Sequence, residues 1–374
     1  MPGPRTVVFS CNTAFAIANF RGGVIRELVR LGHRVVVVAP HDGYVETLGR
    51  MGAEFVHWKL SSRSTGLLTE AVSLGRLICI YRRLRADIAF HFTIKAVLYG
   101  AIAARMADTP FVSVMTGLGY AFLNETLVSK LVRHWYRATL HWSRAVWFLN
   151  ADDRAEFLRL KLVDAMRADL LPGEGIDTSY FSATPPPAGP GLVILMISRL
   201  LKDKGVFEYV DAARLVRASR PDVRFQLLGP LDASNPTEIA KSQLEAWCAE
   251  DVIEYLGVVR DVRPHIADAD AVVLPSYREG MSRSLLEAAA MARPLVATDV
   301  PGCREAVIDG ESGLLCRSRD ADDLARCLLR FVDLPVEKRL RMGQRSRALI
   351  ESEFDERRVI ERYVALVERI PVAD

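Results

Sequence analysis

Residues 34–39 have the sequence RVVVVA, and residues 192–197 have the sequence LVILMI. Unbroken apolar runs of this length are typical of strands buried on both faces, as in a parallel sheet. Amphipathic segments with a helical period, such as Ala16–Leu31 and Lys95–Ala107, separate these runs from further short ones. Strands that alternate with helices along a chain predict a doubly wound α/β architecture.

A proline-rich stretch divides the chain into two such series. Residues 184–190, TPPPAGP, cannot continue a helix or a central strand and therefore predict a linker. Because 374 residues, 50% of them hydrophobic, exceed one compact core, we expect two Rossmann-like domains that face each other across a cleft. The predicted strands are Thr6–Ser10, Arg34–Ala39, Glu54–His57, Asp87–Phe90, Pro110–Met115 and Ala145–Leu149 before the linker, and Leu192–Ile197, Arg224–Leu228, Val252–Tyr255, Ala271–Leu274 and Leu295–Thr298 after it.

The formal net charge of +3 conceals a difference between the halves. Residues 1–172 carry 22 Lys and Arg against 13 Asp and Glu, whereas residues 173–374 carry 27 against 33. This difference is either ordinary drift between domains or a sign that the first half faces something anionic, such as phosphate or a membrane surface.

Several classes of protein and site are disfavoured. The six cysteines form no C-x-x-C pair, so we expect reduced, mostly buried thiols rather than a zinc site or disulfides. The N-terminus does not resemble a secretory signal, and the best candidate for a membrane span, Leu67–Tyr81, is interrupted by Glu70 and Arg76. We expect a cytoplasmic protein, with no nucleic-acid partner.

The first candidate site follows the first strand after the linker. Residues 198–205, SRLLKDKG, lie between that strand and a predicted helix, whose free amides attract anions. The Arg199 guanidinium can hold two phosphate oxygens and the Lys204 ammonium adds a point charge. These cations would stabilise a leaving nucleoside diphosphate without a metal; the alternative is a basic, solvated loop.

The second candidate site is the stretch from 274 to 287, LPSYREGMSRSLLE. Here Glu279 lies in a loop at the end of a buried strand and Glu287 lies on the next helix, so two hydroxyls of one extended ligand could be bound. We expect the amides at the start of that helix to face an anion. We assign Gly280, Met281, Ser282, Ser284 and Leu285 to the same candidate ligand-binding segment.

Other polar and glycine positions are less decisive. Gly117 and Gly119 follow a predicted strand and permit close backbone approach to a ligand, although a tight turn is about as good an explanation. Lys95 could meet an acceptor phosphate or lie free on the surface. Asp268-Ala269-Asp270 has the D-x-D pattern of metal-dependent sugar transferases, but it precedes a strand instead of following one. We therefore expect no metal and no cofactor.

These motifs resemble the retaining glycosyltransferase family four, which has the double-Rossmann GT-B fold. The match is most specific from 192 to 316, and it departs from the family at Ser282, where proline is common, and at Ala292, where glycine is usual. The resemblance implies that Arg199 and Lys204 hold the donor diphosphate, Glu279 contacts the donor sugar and Glu287 binds the ribose. The matching residues are Arg199, Lys204, Glu279, Glu287, 301–307 (PGCREAV) and 309–315 (DGESGLL).

Segments of the first half narrow the resemblance to bacterial polysaccharide-assembly enzymes. These are HFTIK at 91–95, TGLGYAF at 116–122 and NADD at 150–153. The resemblance implies transfer of a hexosyl group, such as N-acetylhexosamine, from a nucleoside-diphosphate sugar, with UDP as the expected nucleotide, to a lipid-diphosphate-linked or polysaccharide acceptor in O-antigen or capsule synthesis. A sugar-nucleotide epimerase of the same fold and an inactive scaffold are the alternatives, while a solute-binding protein would leave the donor residues unexplained.

We expect four parts of the chain: an acceptor-binding domain at 1–172, a linker at 173–190, a nucleotide-sugar domain at 191–352, and a C-terminal helix at 353–374 that returns to the first domain. Within the first, the segment Thr126–Arg144 has two stripes at helical spacing. Either the apolar stripe packs into the core, or the segment attaches the protein to the inner face of an anionic membrane. The basic stripe comprises Lys130, Arg133, His134, Arg137, His141 and Arg144, and the apolar stripe comprises Val128, Leu131, Trp135, Ala138 and Trp142.

Overall fold

A computed structural model of the chain describes residues 3–60, 66–118, 127–189, 191–231 and 235–370. The chain forms two compact units. Residues up to Gly175, together with those from Glu356 onward, form the first unit, and Ile176–Asp355 form the second. The expected two Rossmann-like domains are confirmed, each built on a parallel sheet.

The first unit contains a seven-stranded parallel sheet in the order β3-β2-β1-β4-β5-β6-β7. Its first six strands follow the doubly wound order 3-2-1-4-5-6. Within the run at 34–39, Val36–Val38 pair with strands on both sides, and all four valines of the run are buried. The strands are β1 Thr6–Ser10, β2 Arg34–Ala39, β3 Glu54–His57, β4 Ile88–Phe92, β5 Phe111–Met115, β6 Ala145–Phe148 and β7 Ala168–Leu170.

The second unit repeats this order in six parallel strands, β10-β9-β8-β11-β12-β13. Here β8 pairs with both β9 and β11, so the direction of winding reverses between β8 and β11. Loops at the carboxyl ends of two such strands diverge and leave a crevice in which ligands bind. The strands are β8 Leu192–Ile197, β9 Val223–Leu228, β10 Glu254–Gly257, β11 Ala271–Leu274, β12 Leu295–Thr298 and β13 Gly313–Cys316.

Along the described ranges, helices alternate with most of the strands. The last of them belongs to the first unit and contacts its second helix. They are α1 Ala14–Phe20, α2 Gly22–Arg30, α3 Val45–Arg50, α4 Leu67–Leu84, α5 Ile94–Met106, α6 Leu127–Thr139, α7 Ala151–Arg159, α8 Val206–Ser219, α9 Lys241–Ala249, α10 Arg263–Ala267, α11 Arg283–Ala290, α12 Ala321–Val332, α13 Val336–Glu353 and α14 Glu356–Glu368.

The predicted amphipathic segment Ala16–Leu31 is divided into two helices at Arg21. The Arg21 side chain is buried, where it forms an ion pair with Glu174 at 3.1 Å and lies over the Phe92 ring. The backbone at Arg21 leaves helical geometry, with φ of −132°. A buried tertiary ion pair therefore overrides the local helical period.

Part of the expected linker is packed onto the second unit. The guanidinium of Arg293 donates to the Thr184 hydroxyl at 2.6 Å and to the Pro185 carbonyl at 2.7 Å. The chain passes from the first unit to the second at Gly175, nine residues before this contact. The start of the proline-rich stretch is thus fixed to the second unit instead of serving as a free tether.

The thiols and the helices bear on two of the sequence predictions. All six thiols are free, but the expectation that they are mostly buried is wrong for Cys79 and Cys248, which are exposed. Within the described ranges, no helix combines the length and apolar character that a membrane crossing requires.

Candidate functional site

The loop after β8 carries Lys204 towards the end of β11. A short 3-10 turn at Lys202–Lys204 leads into Gly205, whose φ of +75° is a glycine conformation, and α8 begins directly after it. A Cβ atom at position 205 would lie 2.1 Å from the Pro275 carbonyl oxygen. Only glycine therefore allows this loop to pack against the loop that follows β11.

Lys204 and Glu279 form an ion pair where these loops meet. The Lys204 ammonium donates to Oε1 of Glu279, and the two side chains are 20% and 12% exposed. The buried Ser276 hydroxyl donates to the same oxygen at 2.7 Å. Because β8 and β11 flank the reversal of strand order, the pair lies where a Rossmann-like sheet binds its ligand.

The backbone of Glu279 is fixed by the segment after β12. The Glu279 amide donates to the Pro301 carbonyl at 3.0 Å. Gly302 has φ of +80°, and a Cβ atom there would lie 2.4 Å from the Glu279 carbonyl oxygen. The PGCREAV motif thus holds the Glu279 loop through close backbone contact, which explains its place in the sequence pattern.

The start of α11 differs from the expected anion site at one amide. Ser282 is the N-cap, and its amide donates to the Gly302 carbonyl at 2.8 Å. The expectation that the Ser282 amide is free to face an anion is therefore wrong in this structure. The Leu285 side chain is packed in the core, so it could contact a donor only through its backbone. Gly280 and Met281 lie in the loop before the cap, and the Ser284 hydroxyl is 3.4 Å from that of Ser282.

Glu287 is not the exposed helix residue of the alternative interpretation. Its side chain is 14% exposed, and its carboxylate accepts a hydrogen bond from Arg283 at 2.9 Å, one turn earlier on α11. Burial raises the pKa of Glu287, and the neighbouring Arg283 opposes that rise. A shielded carboxylate with an oriented cation can accept hydrogen bonds from two neighbouring hydroxyls.

Arg199 lies at the carboxyl end of β8, with its side chain exposed. The next two residues, Leu200 and Leu201, are buried and anchor the loop. Arg199 and Lys204 therefore leave the same edge of the sheet, five residues apart, on a loop held by apolar contacts.

The D-x-D segment lies at the opposite end of β11. The Asp270 carboxylate accepts a hydrogen bond from the Val193 amide at 2.9 Å, at the start of β8. This bond gives Asp270 a structural role in joining two strands. In the part of the chain that the structure describes, no three His, Cys, Asp or Glu residues lie close enough to hold a metal ion. Activity without a metal stays a prediction.

In the first unit, Lys95 lies on α5 directly after β4 and is not a free surface lysine. Its ammonium forms an ion pair with Glu70 at 2.7 Å, and the Tyr99 hydroxyl donates to the other Glu70 oxygen at 2.6 Å. Burial, reinforced by Glu70, raises the pKa of Tyr99. An acceptor phosphate at Lys95 would have to compete with Glu70.

Of the two glycines predicted to approach a ligand after β5, the structure describes only Gly117. Gly117 follows β5 and has φ of +129°, a conformation that favours glycine. Gly119 lies outside the described residues. This backbone conformation is consistent with either interpretation of Gly117, close approach to a ligand or a tight turn.

His91, at the carboxyl end of β4, is a structural residue. Its ring is fully buried, its Nε2 is 2.9 Å from the Tyr81 hydroxyl, and it stacks on Phe111. Burial lowers the pKa of His91 to about 3. The imidazole is therefore neutral and enclosed, which does not suit a general base.

Helix α6 and the short 3-10 turn that follows it at Leu140–Trp142 expose most of the predicted apolar stripe. Leu131, Trp135 and Trp142 are 56%, 37% and 38% exposed, whereas Tyr136 and Leu140 face the core. The interpretation that the apolar stripe packs into the core is therefore wrong for these three residues; the side chain of Val128 lies outside the described part. Sequence periodicity defined the stripes but not which face the sheet covers.

The chain matches two family models and several known proteins. The family model described as "Glycosyl transferases group 1" matches residues 191–333, and the model described as "Glycosyl transferase 4-like domain" matches residues 16–174. The N,N'-diacetylbacillosaminyl-diphospho-undecaprenol alpha-1,3-N-acetylgalactosaminyltransferase of Campylobacter jejuni is 25% identical over 380 residues, covering 97% of this chain and 98% of the relative.

Two further proteins extend the comparison. The UDP-Gal:alpha-D-GlcNAc-diphosphoundecaprenol alpha-1,3-galactosyltransferase of Escherichia coli is 26% identical over 289 residues, covering 72% of this chain and 73% of its own. The crystal structure of Anabaena HepE in complex with UDP and glucose superimposes with a TM-score of 0.81 at 18% identity, covering 97% of this chain and 98% of that one. The fold is that of the GT-B enzymes, and the chain belongs to the group 1, glycosyltransferase-4-like family of sugar-transferring enzymes.

Proposed function

We propose that this enzyme transfers a hexosyl group from a UDP-sugar to a hydroxyl of a lipid-diphosphate-linked glycan, with retention of anomeric configuration. The observation that carries the proposal is the Lys204–Glu279 pair at the reversal of strand order in the second sheet. This pair joins a cation suited to phosphate with a carboxylate suited to sugar hydroxyls.

The proposed chemistry needs charge stabilisation more than a general base. The bond from the sugar C1 to the β-phosphate oxygen breaks, the acceptor oxygen bonds to C1 on the same face, and the acceptor proton passes to the leaving phosphate. Arg199 and Lys204 stabilise the negative charge that grows on the diphosphate, which lowers the barrier because that charge is largest in the transition state. Glu279 orients the sugar, and Glu287 holds the ribose hydroxyls.

The acceptor class is supported by the names of two relatives. The Campylobacter jejuni and Escherichia coli enzymes are both named for acceptors on a diphosphate-linked undecaprenol. N-acetylhexosamine is the transferred sugar in the name of the first, which aligns with nearly the whole chain. UDP as the nucleotide is supported by the Anabaena HepE complex.

Attachment of the first unit to an anionic membrane surface is part of this proposal. Trp135 and Trp142 are exposed, and Lys130 and Arg144 of the same segment are exposed as well. Exposed tryptophan and leucine among basic residues suit the headgroup region of a bilayer. Each cation near an anionic leaflet contributes about 1 kcal/mol, and salt screens that attraction.

Sedimentation with vesicles tests the attachment. We expect the enzyme to bind vesicles rich in phosphatidylglycerol at low salt and to bind neutral phosphatidylcholine vesicles far less. Leu131→Ser with Trp135→Ser should weaken binding, whereas the control Leu215→Ser, an exposed leucine of the second unit, should not. Equal binding to both kinds of vesicle, or no effect of the double variant, would contradict the membrane proposal.

A transfer assay tests the function itself. A lipid-diphosphate-linked monosaccharide is offered with each of four donors: UDP-linked N-acetylgalactosamine, N-acetylglucosamine, galactose and glucose. Products are identified by mass and by the NMR coupling constant at C1. We expect one donor to give an α-linked disaccharide. Release of an epimerised nucleotide sugar without transfer would instead show the epimerase alternative, and an inverted linkage would overturn retention.

A further inference from the structure

Ser276 is a buried polar residue to which the sequence assigned no role. It follows β11 after Pro275, and it is fully buried. Its carbonyl oxygen accepts a hydrogen bond from the Thr298 hydroxyl at 2.5 Å, at the end of the neighbouring strand β12. The backbone of Ser276 is therefore fixed by the sheet itself, so the direction of its side chain is well defined.

The Ser276 hydroxyl has one proton and three acceptors within reach. Oε1 of Glu279 is 2.7 Å away, while the carbonyl oxygens of Asp203 and Arg278 are 3.1 and 3.4 Å away. A bond to an ionised carboxylate is shorter and stronger than one to a carbonyl. The proton therefore goes to Glu279.

Ser276 and Lys204 both donate to the same carboxylate oxygen, Oε1. If Lys204 binds the donor diphosphate, as the proposed function requires, it must divide its interaction between that phosphate and Glu279. Ser276 carries no charge, so a phosphate does not draw it away from the carboxylate. Its bond to Oε1 persists when the ammonium turns to the phosphate.

We propose, resting on the proposed function, that Ser276 is the positioning residue that keeps the Glu279 carboxylate aimed at the donor sugar once Lys204 engages the diphosphate. With Oε1 held by the hydroxyl, Oε2 is the oxygen offered to the sugar. A neutral donor performs this task without neutralising the carboxylate and without competing for the phosphate. Binding of the nucleotide part of the donor does not depend on Ser276.

The test compares Ser276→Ala with Ser346→Ala. Ser346 is equally buried in the same unit, and its hydroxyl donates to the Ser312 carbonyl, so its loss matches the packing change without touching the site. Ser276→Cys keeps a γ atom where serine has its hydroxyl oxygen but has only a weak donor, which covers the case that alanine destabilises the loop. Thermal unfolding midpoints verify that each variant is folded.

We expect Ser276→Ala to lower kcat by about tenfold or more, the usual effect of losing a charge-assisted hydrogen bond. The Kd for UDP, measured by calorimetry, should stay within about twofold of wild type. The affinity for a UDP-sugar relative to that for UDP should fall. Ser276→Cys should lie between, and Ser346→Ala should match wild type.

Two results would overturn the inference: kcat of Ser276→Ala equal to that of Ser346→Ala, or a loss of UDP affinity as large as the loss of kcat. Failure of the proposed function gives a different result. In that case the wild type itself would bind no nucleotide sugar and transfer none, and the role assigned to Ser276 would fail with it.

Discussion

Replacing Lys204 by alanine removes the cation that joins the two loops of the proposed donor site. Its side chain is 20% exposed and that of Glu279 is 12% exposed, so the pair is shielded more than a surface salt bridge but is not sealed from water. In the ligand-free enzyme, Glu279 would keep the Ser276 bond, which limits the stability loss to about 1–2 kcal/mol.

The effect on catalysis should be larger than the effect on stability. Loss of one charged hydrogen bond to the diphosphate costs about 1.5–3 kcal/mol, which is about a ten- to hundredfold fall in kcat/KM. The control is Lys202→Ala, two residues earlier in the same turn, where the side chain is exposed. Both variants lose one positive charge, so a difference between them reports the position of Lys204.

Initial rates of sugar transfer and urea unfolding curves measure the two effects separately. If Lys204→Ala and Lys202→Ala have equal kcat/KM, the ammonium at 204 does not stabilise the leaving group and the assigned site is wrong. If only the unfolding midpoint changes, the ion pair is structural.

Four further predictions use the same site and fold. Activity should survive excess EDTA; its loss, with recovery on adding Mn²⁺ or Mg²⁺, would show a metal that the cations do not replace. Because burial lowers the pKa of His91 to about 3, the unfolded chain gains a proton at this residue below about pH 6.5. The free energy of unfolding, measured by urea titration, should therefore fall by about 1 kcal/mol more from pH 7.5 to 5.5 in wild type than in His91→Gln, and an equal fall would contradict a neutral, buried His91. Ala292 has φ of +60°, so Ala292→Gly should raise the free energy of unfolding by about 0.5–1 kcal/mol. A free energy of unfolding below that of wild type would refute strain at this turn. Burial raises the pKa of Glu287, so its ionised form opposes folding at neutral pH. Glu287→Gln should therefore unfold no more easily than wild type at pH 8, yet it should bind UDP about tenfold more weakly. An unchanged affinity for UDP, measured by calorimetry, would remove Glu287 from the ribose site.

Much of the fold follows from local sequence because buried parallel strands are apolar runs. The strands at 34–39 and 192–197 have the bounds that their sequences predict. The strand Ala168–Leu170 was missed, since three residues that include Asp169 form no apolar run. The predicted strand at Val252–Tyr255 lies two residues later, at Glu254–Gly257, because it is an edge strand with less burial.

The candidate site could be predicted as a set of residues but not as a set of contacts. Arg199, Lys204 and Glu279 stand out as charges at the ends of apolar strands. The contact between Lys204 and Glu279 joins residues 75 apart in the chain and depends on the strand order, which local sequence does not determine. The same holds for the Ser282 amide, whose partner comes from the segment after β12.

Exposure of the apolar stripe shows a second limit of prediction from the sequence. Helical periodicity separates basic from apolar positions but does not say which of them the sheet covers. The structure buries Tyr136 and Leu140 and leaves Leu131 and Trp135 exposed. Only tertiary packing distinguishes the membrane proposal from the interpretation that the stripe is core.

The position of the donor is the central claim, and a crystal structure of the enzyme with bound UDP tests it most directly. We predict that the diphosphate lies within hydrogen-bond distance of the Lys204 ammonium and the Arg199 guanidinium, with the ribose hydroxyls at the Glu287 carboxylate. A diphosphate bound elsewhere, with Lys204 and Glu279 still joined only to each other and to Ser276, would contradict the account.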